Sequence, residues 1–169
     1  MKSRLYPQEI LFSNIAVLLI VTLFAGCPME ESDISGGSLH GTWKNNWGEV
    51  FNINLGSNSF EYNGGFPGFH YKGDIHEIVY INNSGSAGFI FIEYTDIGDL
   101  WSVKEENGKI TAVNFTFLAD NILDLRSAVD VTSNDGETLT AKNLEIAKAV
   151  FTAGTLGNYF ALGSVCIKQ

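Results

Sequence analysis

His70, Asp74, His76 and Glu77 lie close together in the chain, and Glu93 stands inside an apolar run. Imidazoles and carboxylates are the side chains best suited to moving protons near neutral pH. The stretch that carries the first four alternates apolar and polar residues, so it reads as a strand in which every second residue shares a face. His70 and His76 then point the same way, but roughly 20 Å apart, which excludes a shared metal ion. Asp74 and His76 are roughly 7 Å apart on that face, close enough for a carboxylate to orient an imidazole. No serine or cysteine nucleophile is near them in sequence; a solvated surface pair is the simpler reading. Glu77 and Glu93 interrupt apolar faces. In a pocket, burial would raise their proton affinity; near a strand end, either would reach water. There is no Gly-x-Ser-x-Gly elbow, His-Glu-x-x-His helix, phosphate loop or Cys-x-x-Cys pair. Spacing therefore assembles no catalytic site, and neither a metal nor a cofactor is expected.

Cys27 offers different chemistry. It closes the stretch Leu23-Phe24-Ala25-Gly26-Cys27, at the end of an apolar core running from Ile15 to Ala25, behind the positive charges of Lys2 and Arg4. That core suits a signal peptide and falls well short of the roughly 20 residues needed to span a bilayer. An uncleaved anchor, or a cysteine that merely follows a cleavage site, are the alternatives. Small residues before a cysteine resemble the lipobox of bacterial lipoproteins. The resemblance implies a signal peptide over residues 1–26, cleavage before Cys27, and a diacylglyceryl group on the Cys27 thiol. The product would be a membrane-anchored lipoprotein of the bacterial cell envelope. Residues 27–38, with Glu30, Glu31, Asp33 and Gly36-Gly37, read as a flexible acidic tether.

Composition narrows the partners. The chain carries a net charge of −9, and losing Lys2, Arg4 and Glu9 makes the remainder one unit more negative. Such a chain repels a phosphate backbone, so nucleic acid is excluded as a partner. Attraction to anionic headgroups is excluded as well, so acyl chains must hold it to the membrane. With Cys27 lipidated, Cys166 has no disulfide partner. None is required, because a domain of this size buries about 68% of its unfolded surface.

The elements that must position these residues are strands. Phe51, Ile53 and Leu55 alternate with polar residues, then Gly56-Ser57-Asn58 turns the chain, then Phe60 and Tyr62 flank Glu61. The pair reads as a hairpin. From Phe69 to Ile81, one parity carries Phe69, Tyr71, Ile75, Val79 and Ile81. By this alternation Phe51, Ile53, Leu55, Phe60, Tyr62, Phe69, Tyr71 and Ile75 face inward. The run Ala87 to Thr95 is apolar on both parities, which requires cover outside the sheet. Strands follow at 110–118 and 122–132, with Leu123, Leu125, Val129 and Val131 on one face, and a last strand runs from Tyr159 to Ile167. One window reads as helix, Ala141 to Thr152, with Thr140 as N-cap and Gly154 as terminator. Its stripe of Leu144, Ala147, Val150 and Phe151 would cover the doubly apolar strand.

A meander of this kind, starting near Leu39, closes best as a barrel. The expected fold is mainly β, a single antiparallel up-and-down barrel of about eight strands over residues 39–169, with one helix before the last strand. Gly41-Thr42-Trp43 on the first strand, the meander, the late helix and the final strand resemble the lipocalin-like (calycin) group. That resemblance implies a Trp43 that closes one barrel end against a basic residue, for which Lys168 is at hand. It also suggests a small hydrophobic ligand, with Trp43, Phe51, Phe60, Tyr62 and Tyr71 as the residues that would touch it. Trp47, Phe66 and Phe69 crowd the first hairpins beside them, and the bulk of the whole group favours a filled interior, and hence an interaction module that binds another protein, ahead of ligand carriage.

Overall fold

The computed structural model describes residues 37–65, 70–98, 106–129, 139–160 and 162–169. The strands are β1 (Gly41–Lys44), β2 (Val50–Asn54), β3 (Ser59–Asn63), β4 (His70–Tyr80), β5 (Ala87–Ile97), β6 (Ile110–Ala119), β7 (Ile122–Ser127) and β8 (Ser164–Lys168). Each pairs antiparallel with the next in sequence, and β8 returns to β1, closing an up-and-down barrel. The closing seam is short, with Trp43 opposite Lys168 and Lys44 opposite Ile167.

Alternation fills the interior as expected for Phe51, Ile53, Phe60, Tyr62, Tyr71 and Ile75, all buried in one core. Their rings run as a chain of contacts. Phe51 and Tyr62 lie 4.9 Å apart, Tyr62 and Tyr71 5.1 Å, and Phe60 stacks on Tyr71 at 5.8 Å. Leu55 departs from the expectation. Asn54 Oδ1 accepts the amides of Gly56 and Ser57, which ends β2 one residue early and leaves Leu55 exposed in the turn. Phe69, Phe66, Trp101 and Val131 lie outside the described residues.

Halfway along β4 the faces exchange. Ile75 pairs with Ile92, and the next pair is Glu77 with Phe91, so His76 is an extra, bulged residue. Past the bulge, Ile78 packs on the barrel core, and the Tyr80 ring meets Phe115 edge-on at 5.8 Å. Val79 points outward to a second core, and Ile81 lies beyond the strand. The single-parity face expected through Val79 and Ile81 is corrected accordingly. Gly88, opposite Tyr80, has no room for a side chain: a Cβ there would run into the Val79 carbonyl and the Phe115 ring.

The second core covers the outside of β5 and β6, as the doubly apolar run required. Ile90, Ile92 and Val113 face the barrel, while Phe89, Phe91, Ile110 and Ala112 pack outward with Ala128, Ala147, Phe151 and Phe160. Ala147 and Phe151 come from α1 (Leu144–Val150) or its end, shorter than the window expected. The cap is Asn143, whose Oδ1 accepts from the Ile146 amide at 2.9 Å. Thr140 instead donates to the Glu106 carboxylate, and Ala141 bridges to Ile110. Gly154 does not terminate α1; it sits in a 3-10 turn (Ala153–Thr155) leading into α2 (Leu156–Tyr159). Tyr159 is therefore helical, and β8 starts only at Ser164. Likewise β7 stops at Ser127, because Ala128 turns outward to bridge Phe160 and leaves Val129 beyond the strand.

Lys148 of α1 donates to both carboxylate oxygens of Glu77 at 2.8 and 2.9 Å. The pair is open to water, where such bridges contribute about 0–1 kcal/mol. Glu77→Ala should thus lower stability in thermal unfolding by less than about 1 kcal/mol. Phe151→Ala, which removes a buried ring from the second core, should cost several times more.

Candidate functional site

The strand directions give the barrel two ends. At the base lie the entry of the chain (37–40), the turns at 55–58, 81–86 and 120–121, and residue 169. At the crown lie the turn Asn45–Glu49, the ends of β3, β5 and β7, and the starts of β4, β6 and β8. Trp43 is buried toward the base. Its Nε1 donates to the Leu39 carbonyl at 2.8 Å, its ring meets Phe117 at 5.9 Å, and Lys168 Nζ lies 5.2 Å above it. Lys168 also donates to the Ser38 carbonyl.

At the crown the organising residue is Glu49. Its carboxylate accepts from Tyr62 Oη at 2.7 Å, from Ser164 Oγ at 2.6 Å and from Asn45 Nδ2. One side chain thereby joins the β1–β2 turn to β3 and β8. Asn45, itself buried, folds the turn around its own side chain, Oδ1 accepting from the amides of Trp47 and Glu49 at 2.9 and 3.0 Å. At the tip of this fastened turn Trp47 stands 88% exposed. Sequence reasoning grouped Trp47 with the interior aromatics, which is corrected here: the side chain is displayed.

The chemistry available at the crown is limited. The Glu49 carboxylate is occupied by its three donors, which fix it in place between the turn, β3 and β8. Ser164 spends its hydroxyl hydrogen on Glu49, and Tyr71 Oη and Ser127 Oγ lie 3.3 Å apart. Burial, and secondarily the charges of Glu49 and Asp124, push the Cys166 thiol up to about 12 from 9.0. The phenols of Tyr62 and Tyr71 are also raised, in both cases mainly by burial. Each of these acids loses its proton more readily when unfolded. Stability should therefore be fully present below about pH 9 and fall as pH rises toward 12, where the unfolded chain has ionised and the folded one has not. Urea midpoints measured between pH 8 and 11 check the sign.

Of the expected site residues, the barrel brings Phe51, Phe60, Tyr62 and Tyr71 into mutual ring contact, with Trp43 opposite Phe51 in register but turned toward Phe117. The titratable residues stay apart from them. His76 Nε2 bonds Glu93 at 2.7 Å rather than Asp74, His70 lies 3.7 Å from Asp96, and Glu77 binds Lys148. Glu77 and Glu93 both reach water on the outer wall. Among the described residues no three His, Cys, Asp or Glu side chains gather as a metal site, and no helix is long and apolar enough to cross a membrane. Cys27 lies outside the described residues. Asn45, Glu49 and Ser164 escaped the sequence reading; a Glu flanking a Trp-Gly turn was the only local sign.

No protein-family model and no curated protein matches this chain. Among solved structures, the crystal structure of pallilysin from Treponema pallidum is similar at 8% identity. The match covers 82% of this chain and 89% of that one, with a TM-score of 0.47.

Proposed function

We propose that this chain is a lipid-anchored lipoprotein of the bacterial envelope whose barrel serves as a rigid module for binding another protein. The observation that carries this reading is Trp47, exposed at the tip of a turn fastened by Asn45 and Glu49. Tryptophan dominates binding energy when it can insert into a partner's pocket, and a turn already rigid loses little entropy in doing so. The continuous ring contacts inside the barrel also support a scaffold. A photo-crosslinking residue at position 47, in cells, should give a discrete protein adduct, whereas one at Glu61 on the barrel wall should not. Equal patterns at both positions would remove the support.

Cys27 is the proposed attachment point. Metabolic labelling with a tagged fatty acid should mark the wild type and leave Cys27→Ser unmarked; equal labelling of both would sink the anchor. A second reading, carriage of a small hydrophobic ligand, draws on Tyr62 and Tyr71, whose hydroxyls stand at the crown end of an apolar interior. Native mass spectrometry of the purified mature protein separates the two readings: a stoichiometric small molecule would favour carriage.

A further inference from the structure

The charges of this chain are unevenly placed. Its net charge is −9, yet the segments that make up the base (37–40, 54–59, 80–87, 117–122 and 168–169) contain only Asp120 and Lys168 as formally charged side chains. Lys168 is turned inward over Trp43. Most of the other polar positions are Asn or Ser, set with Gly in turns fastened by side-chain hydrogen bonds. Asn82 Oδ1 accepts from the Ser86 and Ala87 amides, and its Nδ2 donates to Ser86 Oγ. The His40 ring accepts from the Leu55 amide. Apolar side chains project from this neutral rim, Tyr80 at 52%, Ile81 at 43% and the bulged Leu118 at 49% exposure, with Leu55 on the neighbouring turn.

We infer that the base of the barrel rests on the surface of the bilayer, with Ile81, Leu118 and Tyr80 entering the headgroup region. The inference rests on the reading of Cys27 as the lipid anchor. From Cys27 to Gly37 the chain can reach at most about 35 Å even when fully stretched. It enters the barrel at the base, so the base stays within that reach of the membrane. The eleven residues of β4 span a similar length, which sets the crown and Trp47 farther away. An end whose side chains carry no net charge suits zwitterionic headgroups: the amide and hydroxyl groups can hydrogen-bond to phosphates, and the apolar side chains gain by shallow burial. The acidic walls are not drawn to the surface, which leaves the base as the face that settles there.

The test uses the lipidated full chain in phosphatidylcholine vesicles, with an environment-sensitive dye on Ile81→Cys, Leu118→Cys or, at the crown, Leu162→Cys. Cys166 is buried in the folded barrel and does not compete for the dye. Nitroxide-labelled lipid should quench the dye at positions 81 and 118 and leave position 162 unchanged. Vesicle flotation is read on the same samples. Protein that floats with no quenching at 81 and 118, or with equal quenching at all three positions, overturns the orientation and leaves the anchor standing. Protein that fails to float overturns the anchor, and the orientation with it.

Discussion

Phe60→Ala should lower the stability of the tether-free domain by about 3–5 kcal/mol, a large part of the 5–15 available to an ordinary domain. The ring is 1% exposed, stacked on Tyr71 and edge-on to Phe51 at 6.3 Å. Its removal leaves a hole walled by other rings, each held on its own strand and unable to close in. Urea unfolding should show a lower midpoint with an unchanged slope, since the surface exposed on unfolding is nearly the same. A change below about 1 kcal/mol, together with saturable uptake of a fluorescent fatty acid, would mean that water or ligand occupies the vacated space. Carriage would then lead over the protein-binding role.

Trp43→Ala should cost about as much, for a different set of reasons. The indole is fully buried, fills the base against Phe117, and is the partner of both the Leu39 carbonyl and the Lys168 ammonium. Trp43→Phe separates these contributions. It keeps much of the apolar bulk but leaves the buried Leu39 carbonyl without its donor, a loss of about 1–3 kcal/mol. Stability should therefore fall in the order wild type, Trp43→Phe, Trp43→Ala. Equal stability of the first two would show that the Leu39 bond adds nothing.

Period-2 alternation makes the walls of the barrel legible in the sequence. Phe51 with Ile53, and Phe60 with Tyr62, face inward because nothing interrupts the pleat between them. The run from Phe89 to Tyr94 announced a covering layer for the same reason: both of its faces are apolar. Alternation failed where the backbone inserts a residue. His76 carries no mark that distinguishes a bulge from a regular position, so simple parity puts Val79 on the face of Tyr71 and Ile75, whereas it packs on the opposite one. Competition for hydrogen bonds hid other boundaries. Thr140 is a good capping residue, yet its hydroxyl goes to Glu106, and Asn143 caps the helix instead. The crown was the least legible part. Glu49 meets a hydroxyl from a residue 115 positions away, and only barrel closure brings Ser164 to it. Trp47 was misread because a tryptophan in an aromatic-rich stretch is usually core, and only the Asn45 turn turns it outward.

The narrow seam between β1 and β8 has a mechanical consequence. If a membrane holds one end of the molecule and a bound partner pulls on the other, tension enters the barrel at Gly37 and loads β1, its four-residue first strand. That strand is gripped on one side by the four register pairs of β2 and on the other by the two pairs of β8. The seam is where such a load would first part the staves. Trp43 sits there as a rivet, fixed at its indole nitrogen by Leu39 and capped by Lys168 from the opposing strand, so that separating the two strands must also extract a buried ring.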